Sequence, residues 1–540
     1  MIFFLIAVAI MLWIWMFTLS VLFMTLYLVR AYTRFKGTGV NYLRVIPPFG
    51  SIYRQMIRTE HFSKFSVTLY DSFPHDRFVG VYELMKPLIM IKDVDLIKQI
   101  AVKDFEHFLD HRISVDENIE PIFGSNLSAL KGQKWKEMRS TLSPAFTSSK
   151  IRLMVPFMME VGDQMIATLK NKIKESGTDS LDIDTKDLTT RYSSDVIASC
   201  AFGIKVDSTV NENNKFFSMG KLTSNFTFIQ ILIFLGYNSL PNLMKKLRIK
   251  LFPEEVDHFF TELVLGTMRN REENNIIRPD MIHLLMEAKK GKLTHDTKTV
   301  DTDAGFATVE ESSVGKATVT KVWTDNELIA QAALFFIAGF DTVGTAMTFL
   351  LYELAVNPEC QDKLVKEIEE TELKNGGFDY NAVQSMKYLD MIVSEVLRKW
   401  PPASLIDRIV TKTYNLGRPN KDATEDYIIH KGEGIWFPIW AIHHDPKYYE
   451  NPNKFDPERF SDDNKHKIKP STYIPFGVGP RNCIGSRFAL CEVKVMAYHL
   501  FRHMELMPCE KTCIPAQLSP NSFNLRLQGG HWLKIKNRKK

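Results

Sequence analysis

Cysteine is scarce in this chain, with six residues in 540. No spacing among Cys200, Cys360, Cys483, Cys491, Cys509 and Cys513 matches a disulfide framework or a zinc site. Such a chain suits a reducing compartment. An excess of one charge sign is also missing. A net charge of +5, in a chain of which 24% is charged, gives no strongly basic face of the kind that nucleic acid demands. No convincing Gly-x-Gly-x-x-Gly follows a strand-like run, so no bound flavin or nicotinamide is expected. Internal repeats are lacking. Residues 1–29 lack any charged side chain.

That last absence is itself a signal. A bilayer-spanning helix needs about 20 apolar residues, and MIFFLIAVAIMLWIWMFTLSVLFMTLYLV supplies more. A cleaved leader fits less well, because there is no basic start and no small-x-small cleavage pattern. Arg30, Arg34, Lys36, Arg44, Arg54 and Arg58 all precede the first acid, Glu60. Positive flanks stay cytoplasmic, which predicts a luminal N-terminus and a cytosolic remainder. No second run is long enough to span. Phe226–Leu235 (FTFIQILIFL) is very apolar but short, and reads as a buried or membrane-grazing segment.

Residues 30–50 form a basic linker that ends at Pro47-Pro48-Phe49-Gly50, a stiff hinge. Residues 51–540 read as one mainly helical domain with a few short strands, such as 87–93 (PLIMIKD) and 434–440 (GIWFPIW). The stretch 289–322, rich in Lys, Thr, Ser and Asp, is expected to be a mobile surface insertion between two helices. After it, Thr324-x-x-Glu327 is a capping box. An almost uncharged helix is then predicted from about Asp325 to Val356, through the middle of the protein.

The most unusual cysteine is Cys483, in FGVGPRNCIG at 476–485. The following IGSRFALCEVKVMAYHL has helical periodicity, so Cys483 sits at or just before a helix N-terminus, where free N–H groups favour a thiolate. Gly477, Gly479 and Gly485 permit turns and close approach to a flat ligand. Phe476 can shield the sulfur, and Arg481 can reach an anionic ligand edge. A thiolate is a soft donor that suits iron in heme. Taken singly, each feature fits an ordinary turn or a small core residue. Jointly, Phe-x-x-Gly-x-Arg-x-Cys-x-Gly resembles the heme-binding signature of the cytochrome P-450 superfamily, the heme-thiolate monooxygenases.

Other parts of that family's pattern follow in order. Ala338-Gly339-Phe340-Asp341-Thr342 resembles its oxygen-activation motif. A helix-interior glycine costs about 1 kcal/mol against alanine. A local widening of the helix at Gly339 would explain it, with Thr342 and Asp341 offering a hydroxyl and a carboxylate for proton delivery. The competing reading is tight packing through Gly339, with Thr342 bonding back to a carbonyl. Glu395-x-x-Arg398 has the family's spacing, and Arg459 in Phe455-Asp-Pro-Glu-Arg459-Phe would complete a buried Glu–Arg–Arg cluster. Trp135-x-x-x-Arg139 matches a heme-contacting helix, and Arg408 falls where another propionate-binding arginine stands. His111 is a weaker candidate, and reads more simply as a surface histidine.

The resemblance implies a triangular prism of helices around a buried heme b, with small β-sheets and an axial Cys483 thiolate. Ala338, Gly339, Gly485 and Phe476 would contact the heme. Electrons would come from a membrane-bound NADPH–cytochrome reductase of the endoplasmic reticulum, with cytochrome b5 as a second donor. Lys131, Lys134, Lys136, Lys465, Lys467 and Lys469 are candidates for a basic docking face. Pocket walls are expected at 113–127, Phe226–Phe234, Leu334–Ala338, Ala403–Ile406 and Ser519–Asn524. These are largely apolar and suit a lipophilic small molecule. The detailed wording of the motifs is most similar to insect microsomal members that metabolise foreign compounds, with oxidation of an endogenous lipid or hormone as the alternative. Relatives that rearrange substrates without oxygen tend to lose the acid–alcohol pair, which Asp341-Thr342 retains. An anchored binding protein without a cofactor would leave Cys483 merely structural, and His443-His444 have no sequence link to it as partners in a cysteine hydrolase.

Overall fold

The computed structural model describes residues 1–113, 115–291, 305–317, 321, 323–375 and 378–539. It is mainly helical, with small sheets, as the resemblance implies. The uncharged N-terminal segment is a helix, Ile2–Ala31, whose apolar window has no buried share, so it fits a membrane anchor. The central segment passes the same test of length and hydropathy. It is nevertheless two-thirds buried (67%) inside the protein. Burial, not composition, separates an anchor from a core helix.

The central helix runs Asp325–Val356, as predicted. Its start is set by the capping box: the Thr324 N–H donates to Glu327 (3.0 Å), and the Glu327 N–H donates to the Thr324 hydroxyl (3.3 Å). Helices Thr185–Ile197, Glu254–Glu273 and Ser486–His503 pack around it. Aromatic rings pack against it as well, with Phe336 against Phe216 (4.8 Å) and Phe260 (5.1 Å), and Phe349 stacked on Trp400 (4.3 Å).

A four-stranded sheet forms the second core. Its order is Phe78–Glu83, Lys86–Ile91, Gly434–Phe437, Ile406–Ile409, with only the central pair parallel. Arg408 enters the protein on the last of these strands. A three-stranded sheet joins Ser180–Asp184, Trp532–Asn537 and Met504–Met507, and so ties the C-terminal tail to the helical core.

The basic linker is more than a spacer. Phe35 is buried in the sheet core beside Tyr82, Arg34 pairs with Glu433 (2.6 Å), and the Tyr32 hydroxyl donates to the Leu84 carbonyl (3.0 Å). The chain is therefore fixed to the globule well before the proline pair. Most of Phe226–Leu235 falls in helix Phe228–Ser239, which Thr227 caps, with Ile229 and Leu232 facing outward and Leu235 buried. Of the insertion at 289–322, residues 292–304, 318–320 and 322 lie outside the described residues. Residues 305–317 pack on the protein rather than standing off it: Ala307 and Gly315 are buried, and Phe306 lies against Phe460 (5.0 Å) and Tyr473 (5.3 Å).

Candidate functional site around Cys483

All six cysteines are free thiols. Among the described residues no cluster of three or more His, Cys, Asp or Glu side chains could hold a metal ion. Any metal at Cys483 would therefore need most of its coordination from a cofactor.

The cysteine loop is built by its backbone. The Cys483 N–H donates to the Phe476 carbonyl (2.8 Å), closing a turn that carries Gly477 (φ +80) and Gly479 (φ +75). At Gly479 an added Cβ would sit 1.9 Å from the Ala101 carbonyl oxygen, so both conformation and space demand glycine there. Gly485 caps helix Ser486–His503. The Cys483 sulfur is enclosed by protein yet open to a cavity of about 310 Å³. A second cavity, of about 240 Å³, meets the first at Thr342, Val343, Cys483 and Ala489, and Phe476 lines it. The two form one slot between the central helix and the cysteine loop. Burial pushes the Cys483 thiol up, and the Gly485 N–H and the Arg139 charge pull it down without overcoming burial. The free N–H and the nearby cation act in the sense that favours a thiolate, and a bound metal ion would act in the same sense, because coordination deprotonates a thiol.

One edge of the slot is cationic. His111, Trp135, Arg139 and Arg481 line it. Arg481 lies over the Trp135 ring (4.1 Å) and donates to the carbonyls of Leu109 (2.8 Å) and Leu130 (2.8 Å), with Asp110 at 3.2 Å. Arg408 is buried behind it, donating to the Asp407 carbonyl (2.7 Å) and lying 3.4 Å from His111 Nδ1. Among the described residues no carboxylate pairs with Arg408. Burial lowers Arg408 to about 10, and burial with the Arg408 charge lowers Arg481 to about 9. A buried arginine without a paired carboxylate, Arg408, behind an edge that Arg481 lines, suits an anionic ligand edge. His111 is no surface residue: it faces the slot, 2.9 Å from Asp407, and burial lowers its pKa.

Other expected residues are placed differently. Arg139 lines the slot but is already engaged, by Glu311 (2.7 Å) and by the Asn482 carbonyl and side chain (2.8 Å each). Ala338, Gly339 and Thr342 line the slot, and the Thr342 hydroxyl donates back to the Ala338 carbonyl (2.5 Å). The helix is continuous through this stretch, and side chains of the adjoining helix take its carbonyls, Ser193 at Gly339 (3.2 Å) and Lys186 at Asp341 (3.3 Å). The Asp341 carboxylate turns out of the slot. Lys186 (3.0 Å), Arg526 (2.7 Å) and Asn524 (2.8 Å) hold it. Burial works against the charge of Asp341, but Lys186 and Arg526 outweigh it and keep the carboxyl below its usual range.

The Glu–Arg–Arg cluster is present. Glu395 and Arg398 are fully buried and bidentate (2.7 and 2.8 Å), and Arg459 approaches Glu395 at 3.5 Å. Of the expected pocket walls, Leu127, Leu334 and Phe335 line the first cavity, and Ala403 and Ile406 the second. The stretches 226–234 and 519–524 do not line either cavity. Ile197, Cys200 and Met281 do, and no motif marks them. Of the candidate docking lysines, Lys134, Lys136, Lys465 and Lys469 each already pair with a nearby carboxylate.

The helix after Cys483 carries a buried acid outside the slot. Glu492 is fully buried, beside the Ser193 hydroxyl, and burial raises it to about 8. An acid whose folded pKa exceeds its unfolded value binds its proton more tightly in the folded state. Its contribution is therefore intact below the unfolded pKa, and is lost as pH rises toward the folded one. Thermal unfolding between pH 5 and 9 is expected to show stability falling with pH, and Glu492→Gln to flatten that slope. An unchanged slope would mean that Glu492 does not titrate in this range.

The comparisons agree with this geometry. The family model described as Cytochrome P450 matches residues 43–532. The chain is 45% identical over 542 residues to cytochrome P450 9e2 of Blattella germanica, covering 98% of each. It is 41% identical to probable cytochrome P450 9f2 of Drosophila melanogaster, over 93% of this chain and 94% of that one. It is 32% identical to cytochrome P450 6j1 of Blattella germanica, over 94% of each. Members of the family hold heme through a cysteine thiolate, which the enclosed sulfur, the slot beside it and its cationic edge all fit. The chain belongs to the cytochrome P450 family and is an oxidoreductase of the monooxygenase type.

Proposed function

We propose that this monooxygenase oxidises lipophilic small molecules, foreign compounds such as plant toxins or insecticides, on electrons that an NADPH-dependent reductase delivers at the endoplasmic reticulum membrane. The observation that carries the substrate class is the slot itself. Away from the cationic edge its walls are Leu127, Phe146, Met154, Ile197, Leu334 and Phe335, with no fixed charge to select one polar group. Its relatives among cockroach and fly proteins support the insect setting. Membrane residence is supported by the anchor helix. It is further supported by an outward apolar face, Ile229, Leu232, Leu243 and Leu247, flanked by Lys245, Lys246 and Arg248.

The residues then take these roles. Cys483 would hold the heme, with Arg408, Arg481 and Trp135 available to its carboxylates, and the heme would supply oxygen binding and redox chemistry. The apolar walls exclude water and orient the substrate. Thr342 presents the hydroxyl that holds a proton at the slot. Asp341, anionic and clasped by Lys186 and Arg526, exchanges protons only when that clasp opens.

The test is turnover of an apolar substrate by the anchored chain with NADPH and a microsomal reductase, for wild type and Thr342→Ala. Product must require both NADPH and reductase. Proton transfer by a positioned side chain contributes about 10²–10⁴-fold, so Thr342→Ala is expected to lose product by at least the lower figure. NADPH consumption should continue and hydrogen peroxide should rise. Product without NADPH, or full coupling in the variant, would refute this reading.

A further inference from the structure

The segment 305–317 is fastened across the cysteine side of the protein at several separate points. Phe306 wedges against Phe460 and Tyr473, and its N–H donates to Asp390 (2.9 Å), which also pairs with Lys494 (2.9 Å) of the helix after Cys483. The Glu310 carbonyl accepts from the Asn482 side chain (3.1 Å). Glu311 accepts from Arg139 through Nη2 (2.7 Å) and Nε (3.3 Å), and from the Ser143 hydroxyl (3.0 Å). The Ala317 carbonyl accepts from Ser140.

Arg139 is only 3% exposed. Its remaining bonds go to the carbonyl and side chain of Asn482, the residue before Cys483. Glu311, Arg139, Asn482 and Cys483 thus form one continuous chain of contacts. We propose that this strap is a fixed wall of the cysteine side, in which Glu311 is a positioning residue: it compensates buried Arg139 and, through Arg139 and Asn482, sets the Cys483 loop. The inference rests on Cys483 being the iron ligand.

Two physical consequences follow. Removing Glu311 would leave Arg139 a buried cation without its carboxylate, a costly state, so the pair holds the strap in place at this point. Second, the Glu311 charge opposes the Arg139 field near the sulfur. Without it the sulfur donates less electron density, and the reduced iron is favoured.

The experiment uses the full heme-loaded chain as wild type, Glu311→Gln and Glu310→Gln. Three quantities are read: the iron reduction potential by spectroelectrochemical titration, the persistence of the thiolate-type band of the reduced carbon monoxide complex, and amide hydrogen exchange over 477–485. For Glu311→Gln the potential is expected to move positive, the thiolate-type band to convert several-fold faster to the neutral-thiol type, and exchange in the loop to rise several-fold. Glu310, whose side chain is exposed and which contributes its carbonyl, should leave all three unchanged in Glu310→Gln. Where Glu311→Gln does not fold, Ser143→Ala removes one hydrogen bond to the same carboxylate and should give the same directions with smaller size. Wild-type behaviour of a folded Glu311→Gln, or of Ser143→Ala in its place, would overturn the proposal. Equal shifts in Glu310→Gln would too, since they would reflect general surface charge. A wild type with no thiolate-type band would instead sink the assignment of Cys483.

Discussion

The Cys483→Ala chain is expected to lose the strongly red-shifted Soret band that the wild type shows when reduced under carbon monoxide, and its turnover should fall to background. Two of the six cysteines, Cys200 and Cys483, border the slot, so the sequence motif needs a physical reason to prefer one. Cys200 is 1% exposed, its thiol turned to the Met154 carbonyl (3.7 Å), and burial carries its pKa far above the ordinary value. It behaves as a small core residue. Cys483 is open to the slot at the point where both cavities meet. Its replacement removes one sulfur that faces the slot, so little side-chain packing within the protein is lost and the chain should stay folded. Cys200→Ala, read in the same spectrum, should keep the band. If Cys483→Ala retained it, the ligand would lie elsewhere and the loop would be structural only.

What the sequence made legible was local. The central helix could be bounded because its start is written in a capping box and its length in an uninterrupted apolar run. Glu395 and Arg398 could be paired because residues three apart share a helix face, and Arg481 and Cys483 because they share one loop. Interactions across the chain had no such signature. Asp341 lies beside Thr342 in sequence, which suggested a shared task. Its orientation is nonetheless set by Lys186, on a neighbouring helix, and by Asn524 and Arg526, in the tail that the terminal sheet draws inward. Glu311 lies in a polar stretch whose composition resembles a loose loop, yet it pairs with a buried arginine on helix Gly132–Leu142. Polar composition predicts solvation only when no buried opposite charge is waiting, and that is a tertiary fact. His111 illustrates the same limit. Nothing around it in sequence shows that strand Ile406–Ile409 will bring Asp407 and Arg408 alongside.

Arg398→Ala and Glu395→Gln are each expected to destabilise the fold severely, and Arg459→Ala much less. Breaking a buried ion pair by removing one partner costs about 3–5 kcal/mol, a large part of the roughly 5–15 kcal/mol that holds a domain together. Arg398 lies at the centre. Beyond Glu395 it donates to the carbonyls of His443 (2.9 Å) and Pro452 (2.8 Å), which its loss would leave unpaired in the interior. Arg459 is the outer member, with 13% of its side chain exposed and a longer contact to Glu395. Denaturant melts of the three variants should therefore rank Arg398→Ala and Glu395→Gln far below Arg459→Ala; a reversed order would mean that the cluster is not centred on the inner pair. The cluster also reaches the sulfur. Burial keeps His443 neutral, its Nδ1 bonds the Arg398 carbonyl (3.1 Å), and its Nε2 accepts the Ile474 N–H (3.0 Å), two residues before Phe476. Phe476 in turn accepts the Cys483 N–H. Arg398→Ala keeps the backbone carbonyl that His443 bonds but removes the guanidinium bond to the His443 carbonyl, and should thus loosen the cysteine loop before the chain as a whole unfolds. In a denaturant titration of heme-loaded Arg398→Ala, the thiolate-type band should decay at lower denaturant than helical circular dichroism, whereas in wild type the two should fall together.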